Sequence, residues 1–135
     1  MTACHLAAIA QKVVKEARYH FRHNGEWIKR LGDGTEESHQ RMNKALEQTS
    51  RFVNEMFEMD EVDVLMLEAG IGVDLAEVKI LWLESVDSVL AEATLQRPEP
   101  SYDRTGGRKG IHTEHMGFML AEMQYVQRCN PGLSW

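Results

Sequence analysis

An all-α fold is what this sequence predicts, on three observations. The three prolines, Pro98, Pro100 and Pro131, all lie beyond residue 97, so nothing earlier in the chain forces a helix to break. Apolar residues recur at spacings of three and four over long stretches, the helical period rather than the alternation of a strand. A hydrophobic content of 43 % over 135 residues is ordinary for a folded chain. The expectation is a single helical domain over residues 1–135, built from about four long helices.

The first helix is expected from Leu6 to Leu31. Its apolar line runs through Leu6, Ile9, Ala10, Val13, Ala17, Trp27, Ile28 and Leu31, and the same line passes through His20 and Asn24. Gly25 is a candidate bend, and Gly32-Asp33-Gly34 ends the helix. Thr35 or Asp33 then caps a second helix, with Glu36 and Glu37 suited to its positive end. Its stripe of Met42, Ala45, Leu46, Thr49, Phe52, Val53, Met56 and Phe57 predicts one helix throughout. A short helical turn follows from Asp60 to Ala69, broken by Gly70 and Gly72.

Asp74 with Glu77 resembles a capping box at the start of a third long helix. Its core face is Leu75, Val78, Leu81, Trp82, Val86, Val89, Leu90 and Ala93. Residues 96–111 carry two prolines, several glycines and four basic side chains without periodicity, and are expected to form a flexible basic linker. A last helix is predicted from Thr113 to Arg128, with Met116, Met119, Leu120, Met123 and Val126 on one face and Asn130-Pro131-Gly132 as its stop.

The net charge of -6, from 21 acidic and 15 basic side chains, offers no electrostatic basis for nucleic acid or an anionic membrane as partner. Two cysteines, Cys4 and Cys129, do not make a disulfide framework. Free thiols and the lack of a recognisable leader point to the cytoplasm. No apolar run approaches the ~20 residues of a membrane span.

Several groups are candidates for chemistry. Glu16 and His20 lie one helical turn apart, with His23 next along the same face. Di-iron bundles use a Glu-x-x-His pair, because carboxylates and imidazole suit iron. Here Tyr19 fills the third position and the histidine comes one residue later, a departure from the motif, and an i,i+4 Glu/His pair is mostly a surface interaction or a satisfied, partly buried pair. Glu36 and His39 do have Glu-x-x-His spacing, although an acid in a first turn and a half-buried histidine explain it as well. A helical hairpin sets Glu36 level with about Arg30 and leaves Glu16 roughly 20 Å away at 1.5 Å per residue. The two pairs are therefore not expected to form one site within one chain. His112 and His115 flank Glu114 at the start of the last helix, with no further ligand at zinc spacing. The segment from Arg104 to Lys109 offers side chains and backbone amides to an anion, but lacks Walker spacing.

Three segments together carry a family resemblance. They are LAAIAQKVVKEARYHFRHNGEWIKRLGDGTEESHQRM, SVLAEATLQRP and GIHTEHMGFMLAEMQYVQRCNPGLSW, spread from Leu6 to Trp135. In order and spacing the chain resembles the C-terminal half of the PaaC-type structural subunit of the bacterial phenylacetyl-CoA ring epoxidases. The resemblance implies a ferritin-like helical bundle, of which this chain supplies the C-terminal half. It also implies a homologous catalytic di-iron subunit as partner, with no cofactor bound by this chain. The assembly would epoxidise the aromatic ring of phenylacetyl-CoA, with electrons from a reductase subunit. Glu16 would take the carboxylate position of the fourth bundle helix, and Tyr19 that of a lost histidine.

Family members are about twice this long. With no bundle helices ahead of Leu6, the first helix has too few partners: either the chain is a fragment, or it self-associates or docks on another chain to cover that face. The leading expectation is a catalytically silent subunit of a phenylacetate-degrading monooxygenase. The alternative is a dimeric half-ferritin, in which two copies of Glu16/His20 or of Glu36/His39 assemble a di-iron site.

Overall fold

The structure is a computed structural model that describes residues 3–134. Met1, Thr2 and the closing Trp135 of the family-like segment lie outside the described residues. Six α-helices follow in order: α1 (Ala3–Gly32), α2 (Glu36–Ser50), α3 (Glu61–Glu68), α4 (Leu75–Glu92), α5 (His115–Met123) and α6 (Tyr125–Cys129). Single 3₁₀ turns occupy Asn54–Phe57 and Gly107–Lys109. Among the described residues there is no strand, so the all-α class holds. The chain forms two compact units, Met1–Arg104 and Thr105–Trp135.

The starts of the helices follow the expected capping chemistry. Thr35 caps α2, its hydroxyl accepting from the Ser38 N–H at 3.2 Å while Ser38 Oγ accepts from the Thr35 N–H at 3.0 Å. Asp60 caps α3, with Oδ1 accepting from the Val62 and Asp63 amides at 2.9 and 3.0 Å. Asp63 returns the bond by accepting from the Asp60 N–H. Asp74 caps α4 through the Ala76 N–H at 2.8 Å. Each cap satisfies donors that a helix N-terminus otherwise leaves to water.

The ends depart from expectation in two places. The apolar stripe of α2 continues to Phe57, yet the helix stops at Ser50. Thr49 and Ser50 turn their hydroxyls back onto the carbonyls of Ala45 and Glu47, which competes with the helical ladder. The Arg51 carbonyl, which a continuing helix would give to residue 55, accepts instead from the Arg104 N–H at 2.8 Å. A contact between residues far apart in sequence thus overrides the local period. The last helix also divides, at Gln124, into α5 and α6. Most of its side chains are exposed, and helices this short depend on packing for continuity.

The core of the first unit is small and sits where the ends of α1 and α4 meet the middle of α2. Leu90, Ala93 and Leu95 are buried, with Ile28, Met42, Leu46 and Val86 packed around them. Gly32, the last residue of α1, makes this junction possible. A Cβ there would lie 2.5 Å from the Ala93 carbonyl oxygen and 2.9 Å from the Ala93 Cβ. Across the same junction Lys29 Nζ meets Glu92 Oε2 at 2.6 Å. The Glu92 hydrogen bond, chiefly, raises the Lys29 pKa against a smaller opposing effect of desolvation. Farther along, the Phe57 ring meets Trp82 edge-on at 5.6 Å, and Lys79 Nζ donates to Asn54 Oδ1 at 2.8 Å.

Both α3 and α4 end in a Schellman arrangement, in which a left-handed residue lets two later amides reach back. At α3 that residue is Gly70, with φ of 67°, and the Ile71 N–H reaches the Met66 carbonyl. At α4 it is Thr94, with φ of 58°, and the Leu95 N–H reaches Leu90 at 2.9 Å. A β-branched residue in this region is strained. The motif holds Leu95 against Leu90 in the core, and Thr94 Oγ1 donates a long 3.4 Å bond to the Gly32 carbonyl.

Most of α1 packs on nothing in its own unit. Every described side chain from Cys4 to Asn24 is exposed, among them Ile9 at 54 %, Val13 at 49 % and Phe21 at 54 %. Contact with α2 and α4 is confined to the last two turns, where Gly25, Ile28, Lys29 and Gly32 lie.

Two substitutions test the junction. Gly32→Ala gains about 1 kcal/mol of helix propensity but forces a Cβ onto backbone, so urea denaturation should show a net loss of roughly 1–2 kcal/mol. Thr94→Gly relieves the left-handed strain at the expense of one weak bond, and the same measurement should show a gain of about 0.5–1 kcal/mol.

Candidate functional site

The four residues singled out as candidate metal ligands fall into two separated pairs. Glu16 Oε1 and His20 Nε2 are 3.5 Å apart on α1, with side-chain exposures of 74 % and 60 %. Around them runs an aromatic ladder along the same helix. Tyr19 meets His20 edge-on at 5.6 Å and stacks on His23 at 5.8 Å. His23 then meets Trp27 at 6.5 Å, and the Arg30 guanidinium lies 5.8 Å from the Trp27 ring. Tyr19 is thus held by its histidine neighbours rather than by a second helix.

Glu36 and His39 lie on α2, beyond the turn. Glu36 Oε1 accepts from Gln40 Nε2 at 2.7 Å. His39 is half-buried, and its Nδ1 lies 2.7 Å from the Gly32 carbonyl oxygen. That carbonyl has no amide partner at the end of α1, so the imidazole donates from Nδ1 and closes the helix terminus. His39 therefore has a specific structural task at the junction. Among the described residues no three His, Cys, Asp or Glu side chains come together as a metal-holding group. A di-iron centre draws carboxylates and imidazoles from four helices at once. These two pairs do not fit one within a single chain.

His112, Glu114 and His115 are all exposed at the start of α5, and Glu114 makes no side-chain cap there. Both cysteines are free and exposed.

The basic segment divides across the two units. Its first part is fastened to the first unit. Arg97 pairs with Asp87 at 2.9 Å, Asp103 Oδ1 accepts from Asn54 Nδ2 at 2.8 Å, and Arg104 holds the Arg51 carbonyl. Between them Arg51 Nη1 donates to the Tyr102 hydroxyl at 2.7 Å, and the Arg104 guanidinium lies 5.5 Å from the Tyr102 ring. The hydrogen bond from Arg51, above all, lowers the Tyr102 pKa, with Arg104 adding to it and desolvation opposing. Beyond the boundary, the Gly107–Lys109 turn is closed by the Ile111 N–H on the Gly106 carbonyl. Sequence reading missed this clasp, because its partners stand 49 and 51 residues apart and neither segment carries a motif.

The described chain is all helical, most of its longest helix is exposed, and its ligand-type residues stand in separate pairs. The family model for the phenylacetic acid catabolic protein matches residues 2–135, and the chain belongs to that family. It is 49 % identical over 130 residues to the PaaC subunit of the 1,2-phenylacetyl-CoA epoxidase of Escherichia coli (strain K12). The alignment covers 96 % of this chain and 52 % of that protein, so the chain spans about half the length of the curated relative it matches. Among the described residues no helix is long and apolar enough to cross a membrane.

The Tyr102 clasp is testable through its ionisation. Because the folded pKa is lowered, the stabilising charge interaction is present above the unfolded value and is lost as pH falls through the folded one. Arg51→Met should move the phenol titration upward, read from absorbance near 295 nm against a Tyr102→Phe control. The variant should lose more stability at alkaline than at neutral pH.

Proposed function

We propose that this chain acts as a non-catalytic structural subunit of a multicomponent monooxygenase that epoxidises the aromatic ring of phenylacetyl-CoA in phenylacetate catabolism. The observation that carries the reading is the 49 % identity to the PaaC subunit of an epoxidase across 96 % of the chain. Geometry supports it. Glu16 and His20 answer one another on a single helix, Tyr19 occupies the place where the resemblance expects a ligand histidine, and His39 is committed to a helix end. In this reading the di-iron centre belongs to a homologous catalytic subunit in the cytoplasm.

The contribution of this chain is then mechanical. It presents apolar helix surface to the partner and fixes the partner's helices in place. Removing such surface from water is the dominant favourable contribution to association, and it demands no reactive group here. In the second unit, Phe118, Met119, Leu120, Met123, Tyr125 and Val126 are all exposed within α5 and α6. Methionines adapt their shape to a facing surface, which suits this helix to docking. The half-ferritin alternative is not favoured, since the matched relative is an epoxidase subunit.

Co-expression with a homologous catalytic subunit provides the test. A tagged form of this chain should retain the catalytic subunit through affinity and size-exclusion steps, and Phe118→Asp with Met123→Asp should reduce its recovery several-fold. Iron measured on the purified chain alone should fall far below one per chain. Stoichiometric iron, or no retention of the catalytic subunit, would sink the proposal.

A further inference from the structure

Two cationic side chains of the first unit converge on one neutral group. Arg51, just past the end of α2, donates from Nη1 to the Tyr102 hydroxyl at 2.7 Å. Its guanidinium lies 5.2 Å from the Phe52 ring and 5.8 Å from the Tyr102 ring, so two aromatic faces hold it in place. Arg104 comes to the same phenol, with its guanidinium 5.5 Å from the ring.

The carboxylates nearby do not answer these charges. Asp103 stands between Tyr102 and Arg104 in the chain, yet it accepts from Asn54 Nδ2 at 2.8 Å. Asn54 is fixed in turn by Lys79 at 2.8 Å, and Asp87 is taken by Arg97. Among the described residues no carboxylate pairs with Arg51 or Arg104. Arg51 Nε is buried and has no hydrogen-bond partner. Like charges brought together without an acid between them disfavour one another, and a buried donor on a charged group is costly to leave unmade.

We propose that Arg51, Tyr102 and Arg104 form a binding site for a phosphate dianion, free or carried as a monoester. The charges match, because two guanidiniums balance a dianion, whereas a single carboxylate leaves one of them over. Each guanidinium offers a planar fork of N–H donors that fits phosphate oxygens. The Tyr102 hydroxyl accepts from Arg51 and keeps its own proton to donate. Tyr102 and Arg104 are exposed and Arg51 is half-buried, so the anion enters from water against an aromatic backing. The bond from the Arg104 N–H to the Arg51 carbonyl at 2.8 Å sets the spacing of the two arginines before a ligand arrives. Every group in the site lies between residues 51 and 104, and contacts within that stretch fix its geometry. Of the basic segment expected to meet an anion, only Arg104 takes part.

Calorimetric titration of the purified chain with inorganic phosphate tests the site, at about pH 8 and low salt, where phosphate is a dianion and screening is weak. One phosphate should bind per chain, and acetate should bind at least about tenfold more weakly. Arg104→Met keeps the aliphatic stem over the Tyr102 ring and should weaken phosphate on the order of tenfold, as should Arg51→Met. Lys109→Met removes an equal charge outside the site and should leave affinity within about twofold. A second readout needs no substitution, and so stands even if a variant unfolds. A dianion beside Tyr102 disfavours the phenolate, so phosphate should move its titration upward relative to chloride at matched ionic strength. In Tyr102→Phe the remaining tyrosines, Tyr19 and Tyr125, should titrate unmoved. Adenosine monophosphate tells the sources apart, binding no weaker than phosphate if the site admits an ester and more weakly if it takes only the free ion. Absence of phosphate binding overturns the proposal. So does acetate as tight as phosphate, binding indifferent to both arginine changes, or a Tyr102 titration that phosphate leaves in place. Retention of a catalytic subunit is measured separately, so the two readings fail independently.

Discussion

The first unit depends on how closely the end of α1 approaches the end of α4. Gly32 and Ala93 meet with almost no side chain between them, and every other long-range link nearby is built on that approach. The carbonyl exposed at Gly32 takes the His39 imidazole from α2 and the Thr94 hydroxyl from the end of α4. Lys29 and Glu92 close the same junction from its outer edge. A larger residue at either position would separate the helices and strand these groups. The left-handed Thr94 is tolerated for the same reason. Its conformation turns Leu95 back onto Leu90, and those two residues with Ala93 are the buried core.

Such a core is small for a unit of this length, and its position explains why. It fastens the ends of α1 and α4 against the middle of α2. From the junction α1 extends for some six turns with its apolar line in water, whereas soluble chains seldom leave so long an apolar strip uncovered. Propensity alone holds an isolated helix of this kind only marginally. The chain spans about half the length of the epoxidase subunit it matches, so the packing of this helix in a full-length relative is not set by the residues described here.

What was legible in the sequence was local. Thr35, Asp60 and Asp74 announce helix starts because a cap is decided within three residues, and each one caps, although Asp74 does so through the Ala76 amide without the box expected with Glu77. The Glu16–His20 pair was legible for the same reason, since one helical turn fixes its spacing. The end of α2 was not legible. Its apolar stripe runs unbroken to Phe57, and the helix stops where Thr49 and Ser50 bond back onto it and Arg104, from beyond α4 in the chain, takes the Arg51 carbonyl. Nor could spacing assign His39 a single role. Periodicity placed it on a half-buried stripe, and the structure adds the acceptor that makes it a helix-terminus donor.

The polar residues on α1 now take on a coherent meaning. A metal-bearing helix turns its carboxylate and imidazole inward, where groups on other helices orient them and hold them apart for the ion. On α1 the carboxylate and imidazole face each other, and the neighbouring tyrosine stacks on a histidine of its own helix. The two side chains are 3.5 Å apart and largely in water, so the spacing that suggested a ligand pair is realised as a contact within one turn of one helix.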